Sequence, residues 1–86
     1  MASYSLLIRP SAAKELAALP RKDRERVTSK INSLGSEPRP PGCEKLSGHE
    51  DRYRLRQGSY RVIYWVDDPG KTVGVIMVRH RKEVYR

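Results

Sequence analysis

The spacing of the apolar residues changes halfway along the chain, and this change restricts the folds that the sequence can adopt. Between residues 11 and 34 they recur every three or four positions, which is typical of helices with one buried side. From Asp51 onward, Tyr53 and Leu55 alternate with arginines, and this period of two is typical of a half-buried strand. A helical part followed by a sheet part predicts an α+β domain.

The first half of the chain predicts a strand and two helices. Residues 4–8 form the expected strand, and Ser11 is the expected cap of a first helix. Pro20 ends that helix and opens a second one, which runs from residue 21 to about residue 34. The apolar stripe of the second helix consists of Val27, Ile31 and Leu34. These two helices form a hairpin with almost no loop.

The second half predicts three strands after an irregular connection over residues 36–48, which is rich in proline and glycine. Turns are expected at Gln57-Gly58 and at residues 67–70. The expected order is β-α-α-β-β-β in two layers. The helical hairpin packs on one face of a mainly antiparallel four-stranded sheet, in a single domain over residues 1–86.

The formal net charge of +8 is concentrated near the end of the sequence. Residues 52–86 contain nine basic and three acidic side chains, which account for six of these charges. Such a face attracts a polyanion, although a solvated basic surface is the simpler interpretation. A single cysteine, Cys43, excludes a disulfide framework and a cysteine zinc site. The short apolar run near the start predicts no signal peptide and no membrane span, so we expect a soluble, cytoplasmic protein.

The hairpin around Gln57-Gly58 brings arginines together. With those two residues at the centre of a tight turn, Arg54 lies opposite Arg61, and both share a face with Arg56. A four-residue loop over residues 67–70 extends this register. It adds three residues of the last strand to the arginine side: Ile76, Val78 and His80.

Arginines directly opposite each other destabilise a strand pair, so their placement requires an explanation. One explanation is a site for an anion such as phosphate, which a guanidinium binds in bidentate fashion. The other is that a nearby carboxylate folds over and neutralises them, from Asp51, Glu44 or Glu50.

Four segments of the second half resemble the RelE toxins of the RelE/ParE superfamily. They are Lys45-Leu46-Ser47-Gly48, Tyr53-Arg54-Leu55-Arg56, Gly58-Ser59-Tyr60-Arg61-Val62-Ile63-Tyr64 and Val78-Arg79-His80-Arg81-Lys82-Glu83-Val84-Tyr85. The order of elements also matches that fold along nearly the whole chain. The resemblance implies ribosome-dependent cleavage of messenger RNA in the decoding site, and inhibition by a cognate acidic antitoxin of the RelB type. The antitoxin is expected to cover the basic face or to dock beside the helical hairpin.

The resemblance also implies which residues act on RNA. By position these are Arg54, Arg56, Arg61, Arg81 and Tyr85. The chain departs from the RelE pattern in two ways. Lysines are frequent in the ribonucleases at the first two positions, and a helix is missing after Tyr85.

Such an endoribonuclease uses the RNA 2′-hydroxyl as its nucleophile and needs no metal or other cofactor. Arginines stabilise the phosphoryl oxygens but are poor bases, because they stay protonated at physiological pH. Tyr85 is expected to stack on a base or to hold a phosphate oxygen. We therefore hypothesise that His80, on the expected arginine side, shares the proton transfer. His49 lies in a loop and is given no role.

Two alternatives belong to other functional classes. A ParE-like toxin would inhibit gyrase and cut nothing, and a basic module would bind nucleic acid without catalysis. Mapped RNA ends distinguish the first alternative from a ribonuclease. Replacement of the target 2′-hydroxyl by hydrogen distinguishes the second, because only cleavage depends on that group.

Overall fold

The computed structural model describes residues 3–48, 51–80 and 82. Within these residues, two helices and five strands follow one another in the expected order, with one short strand added. They are β1 (Ser5–Ile8), α1 (Pro10–Ala17), α2 (Arg21–Ser33), β2 (Glu44–Lys45), β3 (Arg52–Gln57), β4 (Tyr60–Asp67) and β5 (Thr72–His80).

The five strands form one sheet in the order β1-β5-β4-β3-β2, and this is one strand more than expected. The meander β3-β4-β5 is antiparallel, whereas β1 returns beside β5 and runs parallel to it. The additional strand, β2, pairs Glu44 with Arg54 and Lys45 with Tyr53. Two residues are too few to show a period of two, so the sequence pattern does not indicate this strand.

Both helices pack on one face of the sheet, which confirms the two-layer α+β prediction. Val27, Ile31 and Leu34 of the second helical segment are all at most 1% exposed. They share the core with apolar residues of the three meander strands: Tyr53, Leu55, Val62, Tyr64, Val66, Val73, Val75 and Val78. We call this buried side of the sheet, which both helices cover, the helix face.

The first helix differs from the expectation at both ends, and it ends at Ala17, three residues before Pro20. Pro10 is the first residue of α1 and Arg9 precedes it as the N-cap, without a side-chain cap. The assignment of Ser11 as the cap was therefore wrong. Proline is well suited to the first helical position because it has no N–H group to satisfy and a suitable φ angle. Pro20 precedes α2 as expected.

An ion-pair network fixes the irregular connection over residues 36–43 to the sheet. Arg39 donates to both carboxylate oxygens of Asp68, at 3.1 and 2.8 Å, and its Nε donates to the Tyr53 hydroxyl at 2.8 Å. The Tyr4 hydroxyl also donates to Asp68, at 2.6 Å. Hydrogen bonds from Arg39 and Tyr4 to the ionised carboxylate lower the pKa of Asp68 to about 2.

None of the helices within the described residues is sufficiently long and apolar to cross a membrane.

Candidate functional site

The hairpin between β3 and β4 brings three arginines to the face opposite the helices. Its turn centres on Gly58 and Ser59, with Gly58 at a φ of 60°, and Gln57 pairs with Tyr60. Arg56 is therefore directly opposite Arg61, whereas Arg54 is opposite Ile63. The expected pairing of Arg54 with Arg61 was wrong because the turn lies one residue further along. Each partner moves by two residues, so the expected shared face is retained.

We call the surface formed by Arg54, Arg56 and Arg61 the arginine face.

A β-bulge changes the faces of the last strand. Tyr64 pairs with Val75 and Ile63 pairs with Met77, so Ile76 has no partner in the ladder. One extra residue reverses the alternation beyond it. The placement of Val78 and His80 on the arginine side was therefore wrong.

After the bulge, Val78 pairs with Val62 in the core, at 2% exposure, and His80 pairs with Tyr60. The His80 ring meets the Tyr60 ring edge-on, with centroids 5.4 Å apart and planes at 87°. Both rings line a cleft of about 430 Å³ between the end of α1 and the ends of β4 and β5. The structure thus separates His80 from the three arginines by the thickness of the sheet.

Because of the same bulge, Arg79 is the ladder partner of Arg61. The sequence interpretation missed Arg79, because strict alternation from Val75 assigns it to the core side. Its guanidinium is bonded through Nε to a carboxylate oxygen of Glu15 on α1. The other oxygen of Glu15 accepts the backbone N–H of Val78 at 3.0 Å.

The three arginines differ in how far they reach into solvent. Arg61 is only 5% exposed, while the side chains of Arg54 and Arg56 are 21% and 56% exposed. The Nε of Arg54 is buried and has no hydrogen-bond acceptor among the residues that the structure describes. A buried donor without an acceptor is uncommon in folded proteins and is one indication of an incoming anion.

Glu44 on the short strand β2 contacts two of these arginines. One of its carboxylate oxygens is 3.3 Å from Arg54 and 3.5 Å from Arg56, each measured to the terminal Nη2. Of the three carboxylates that the sequence offered as neutralising groups, Glu44 is therefore the one that contacts the arginines. Glu50 is outside the described residues. Among the described residues, the site combines a cluster of guanidinium groups with the partly exposed carboxylate of Glu44 at its edge.

Two expected site residues, Arg81 and Tyr85, are outside the described residues. Arg81 directly follows the last residue of β5, His80. Taken together, the described side chains present guanidinium groups from adjacent strands on one surface. Such an arrangement can bind a phosphate group through several charge-assisted hydrogen bonds.

Comparisons with known proteins agree with this architecture. The family described as the ParE toxin of type II toxin–antitoxin systems, parDE, matches residues 6–85. Toxin RelG of Mycobacterium tuberculosis is 29% identical over 84 residues, which cover 96% of this chain and 97% of RelG.

Solved structures of RelE proteins are also similar. The RelE–RelB complex of Pyrococcus horikoshii gives a TM-score of 0.82 at 32% identity, with 92% of this chain and 96% of that chain covered. The isolated RelE toxin of E. coli gives 0.80 at 33% identity, with coverages of 96% and 92%. The chain therefore belongs to the ParE toxin family of type II toxin–antitoxin systems, and within the RelE/ParE superfamily it is a RelE-type toxin.

Proposed function

We propose that this toxin is an endoribonuclease that cuts messenger RNA in the decoding site of the ribosome and thereby inhibits translation. The observation that carries the proposal is the arginine face, on which Arg56 is directly opposite Arg61 and Arg54 lies beside them. A cross-strand pair of like charges is destabilising, and an anion bound there would add to the partial neutralisation that Glu44 provides. The backbone of an RNA strand supplies such an anion at every phosphate.

In the proposed reaction the 2′-oxygen of one nucleotide attacks its own 3′-phosphorus. A bond forms to the 2′-oxygen, the bond to the leaving 5′-oxygen breaks, and the products are a 2′,3′-cyclic phosphate and a 5′-hydroxyl. The 2′-hydroxyl loses a proton and the leaving oxygen gains one. The reaction is metal-independent in this proposal because the nucleophile belongs to the substrate.

The arginines serve this reaction by stabilising charge. Arg54, Arg56 and Arg61 are proposed to bind the phosphoryl oxygens, where preorganised cations lower the barrier. Arg79 pairs with Arg61 in the ladder, but its guanidinium is bound to the Glu15 carboxylate, so it is proposed only as a neighbour of this cluster. We further propose that Arg81 contributes charge and that Tyr85 stacks on a base or holds a phosphate oxygen.

The proton acceptor is not one of these groups, because arginine stays protonated at physiological pH. His80 was the candidate, and its position on the helix face beside Tyr60 argues against that role. Weak acid–base equipment suits an enzyme whose substrate is oriented for it, since orientation alone lowers barriers by several kcal/mol. We therefore propose that the ribosome orients the message, which places the activity in the cytoplasm.

A RelB-like antitoxin is the proposed partner. The structural relatives include RelE–RelB complexes from Pyrococcus horikoshii and E. coli, at 32% identity in both cases. The net charge of +8 on this chain favours an acidic partner. Binding over the arginine face would remove the cationic cluster from RNA.

Gyrase inhibition is a second candidate, because the matching family model is described as the ParE toxin. A toxin of that kind has no need for clustered phosphate-binding guanidiniums. Mapping both nucleic acids after induction separates the two functions. Damaged DNA with intact messages would favour gyrase inhibition and overturn the ribonuclease.

The decisive experiment is in vitro translation of a defined message, followed by mapping of its 5′ ends. We expect the wild type to produce new ends inside codons, and Arg61→Ala to abolish them. The matched control is Arg21→Gln, which removes one charge from an 84%-exposed side chain on α2. A 2′-deoxy substitution at the cut position should prevent cleavage and leave binding intact. Cleavage that survives either change would refute the mechanism.

A further inference from the structure

One carboxylate joins the first helix to the end of the last strand. Glu15 of α1 accepts the backbone N–H of Val78 through one oxygen and the Nε–H of Arg79 through the other. Its side chain is 24% exposed, against 41% for Arg79. A single side chain therefore binds both the backbone and a guanidinium of two successive residues.

The position of Glu15 compensates for the short first strand. Within the described sheet, β1 pairs with β5 only from Thr72 to Val75. The chain then leaves the sheet, with Arg9 donating its N–H to the Val75 carbonyl at 3.0 Å before α1 begins. The outer edge of β5 beyond that point lacks a neighbouring strand among the residues that the structure describes. An edge of this kind has backbone groups that need partners.

Glu15 meets this need at Val78, where its Oε1 takes the place of a strand carbonyl at 3.0 Å. The helix that carries it is firmly placed, because Ala12 is fully buried and Leu16 and Leu19 pack against the core. The carboxylate is thus held at a fixed position relative to the sheet.

The contact with Glu15 bears on the proposed site because Arg79 pairs with an arginine of the neighbouring strand β4. Arg79 is the ladder partner of Arg61, three residues after the bulge at Ile76. A guanidinium has five N–H donors, and the bond to Glu15 uses one of them. An ionised partner fixes the orientation of the group and leaves the remaining donors for an anion.

We infer that Glu15 is a positioning residue for the cationic site. It takes the place of the missing strand beside Val78 and fixes the Arg79 guanidinium at the outer edge of β5, one strand away from Arg61, although it does not itself contact RNA. The same anchor fixes the last described residues of β5 relative to α1. This inference rests on the proposed ribonuclease function for its catalytic consequence, but its structural part does not.

The test uses the full chain in four forms: wild type, Glu15→Ala, Glu15→Gln and Glu25→Gln. Glutamine keeps an oxygen for Val78 but loses the charge that holds Arg79. Glu25→Gln is the matched control, because Glu25 pairs with Arg21 on the surface of α2. NMR spectroscopy reports the exchange of the Val78 amide proton and the resonance of the Arg79 Nε–H. Kinetics in translating ribosomes gives kcat and KM separately.

For Glu15→Ala we expect faster exchange at Val78, a moved Arg79 resonance, and a kcat lowered about 10- to 100-fold, the scale of a misplacement of about 1 Å. KM should change less than about threefold, because Glu15 is proposed not to contact the RNA and distant sites usually act independently. Glu15→Gln should keep Val78 protected and give an intermediate kcat. Glu25→Gln should match the wild type.

Two results would overturn the inference. One is an unchanged signal from both Val78 and Arg79 in Glu15→Ala. The other is a moved Arg79 signal with a wild-type kcat. If the wild type itself makes no ribosome-dependent cuts, the proposed function fails. The NMR signals then still decide whether Glu15 holds Val78 and Arg79.

Discussion

Arg56 and Arg61 are directly opposite each other in the ladder between β3 and β4. Arg61 is only 5% exposed, so its charge is poorly hydrated, whereas the side chain of Arg56 is 56% exposed. Like charges in this position oppose hairpin formation, whereas an RNA phosphate bound between them would favour it. The hairpin thus combines a local cost in stability with a place for an anion.

A double-mutant cycle on this pair should reveal repulsion. We expect Arg56→Gln and Arg61→Gln to show a coupling of about 0.2–1 kcal/mol in the free energy of unfolding, with the sign of repulsion. The coupling should shrink in about 1 M salt, where the Debye length is about 3 Å. Chemical denaturation at two salt concentrations measures it. Arg56→Gln with Arg21→Gln on α2 is the control pair and should show no coupling. An attractive coupling between Arg56 and Arg61 would contradict the electrostatic argument.

Removing the carboxylate at the edge of the site should strengthen RNA binding. Glu44 lies 3.3 Å from Arg54 and 3.5 Å from Arg56, so it competes with phosphate for both. We expect Glu44→Gln to bind an uncleavable 2′-deoxy oligonucleotide about three- to tenfold more tightly at low salt. Fluorescence anisotropy measures this affinity. Glu25→Gln removes the same charge from a surface pair on α2. An equal gain in that variant would mean that only net charge matters.

His80 should be dispensable for proton transfer. Its ring packs edge-on against Tyr60 on the helix face, and phenylalanine preserves that contact. We therefore expect His80→Phe to keep both the rate of cleavage and its dependence on pH between about 5.5 and 8, the range in which histidine titrates. Initial rates of message cleavage across this range provide the measurement. A flattened profile, or a rate lowered by more than about tenfold, would restore His80 as a participant.

Acid should weaken the fold through the connection network around Asp68. The pKa of Asp68 is lowered from its ordinary value of 3.8 to about 2 by hydrogen bonds from Arg39 and Tyr4. A lowered folded-state pKa means that the stabilisation is complete above about pH 4 and is lost as the pH falls toward about 2.

Thermal unfolding midpoints between about pH 2 and pH 6 test this expectation. The unfolding midpoint of the wild type should be higher than that of Asp68→Asn above about pH 4, and the two midpoints should converge near pH 2. The asparagine in this variant keeps an oxygen for the Tyr4 hydroxyl but loses the charge and one of the two acceptors of Arg39, so the comparison removes the ion pair. If the two midpoints stay equally far apart down to about pH 2, Asp68 does not contribute to the loss of stability in acid. Asp67→Asn, one residue earlier, is the neighbouring control.

Gly74 should tolerate no side chain while Trp65 is present. The two residues are paired between β4 and β5, and a Cβ at position 74 would collide with the indole ring. We expect Gly74→Ala to lower the free energy of unfolding by about 1–3 kcal/mol, the usual cost of overpacking. In a Trp65→Val background the same change should cost much less. Fluorescence of Trp65, the single tryptophan, reports the altered environment in the first variant.

The sequence predicted the parts of the fold that depend on periodic burial. The spacing of Val27, Ile31 and Leu34 indicated one buried helical stripe, and all three are in the core. The alternation around Leu55 placed the arginines of β3 and β4 on one face, despite a turn that lies one residue later than expected. A shift of two residues in each partner leaves the faces unchanged, so this error did no harm to the face assignment.

The sequence did not predict the events that interrupt a periodic pattern. The bulge at Ile76 lies two residues after Gly74, a glycine within the strand that can signal a bulge and that the sequence interpretation did not use, and the residues directly beside Ile76 are apolar. Counting by twos therefore assigned His80 to the wrong face and missed Arg79. The contact between Glu15 and Val78 depends on tertiary packing across 63 residues, which no local spacing encodes.

The bulge also makes the composition of the site sensitive to chain length. Residues before Ile76 and residues after it follow opposite phases of the same strand. Loss or gain of one residue near that position would exchange Arg79 and Val78 between solvent and core without any substitution. A RelE-type chain can therefore alter the cations that it presents through a single-codon insertion or deletion. Alignments of such toxins should place gaps in this strand by structure before arginines are compared.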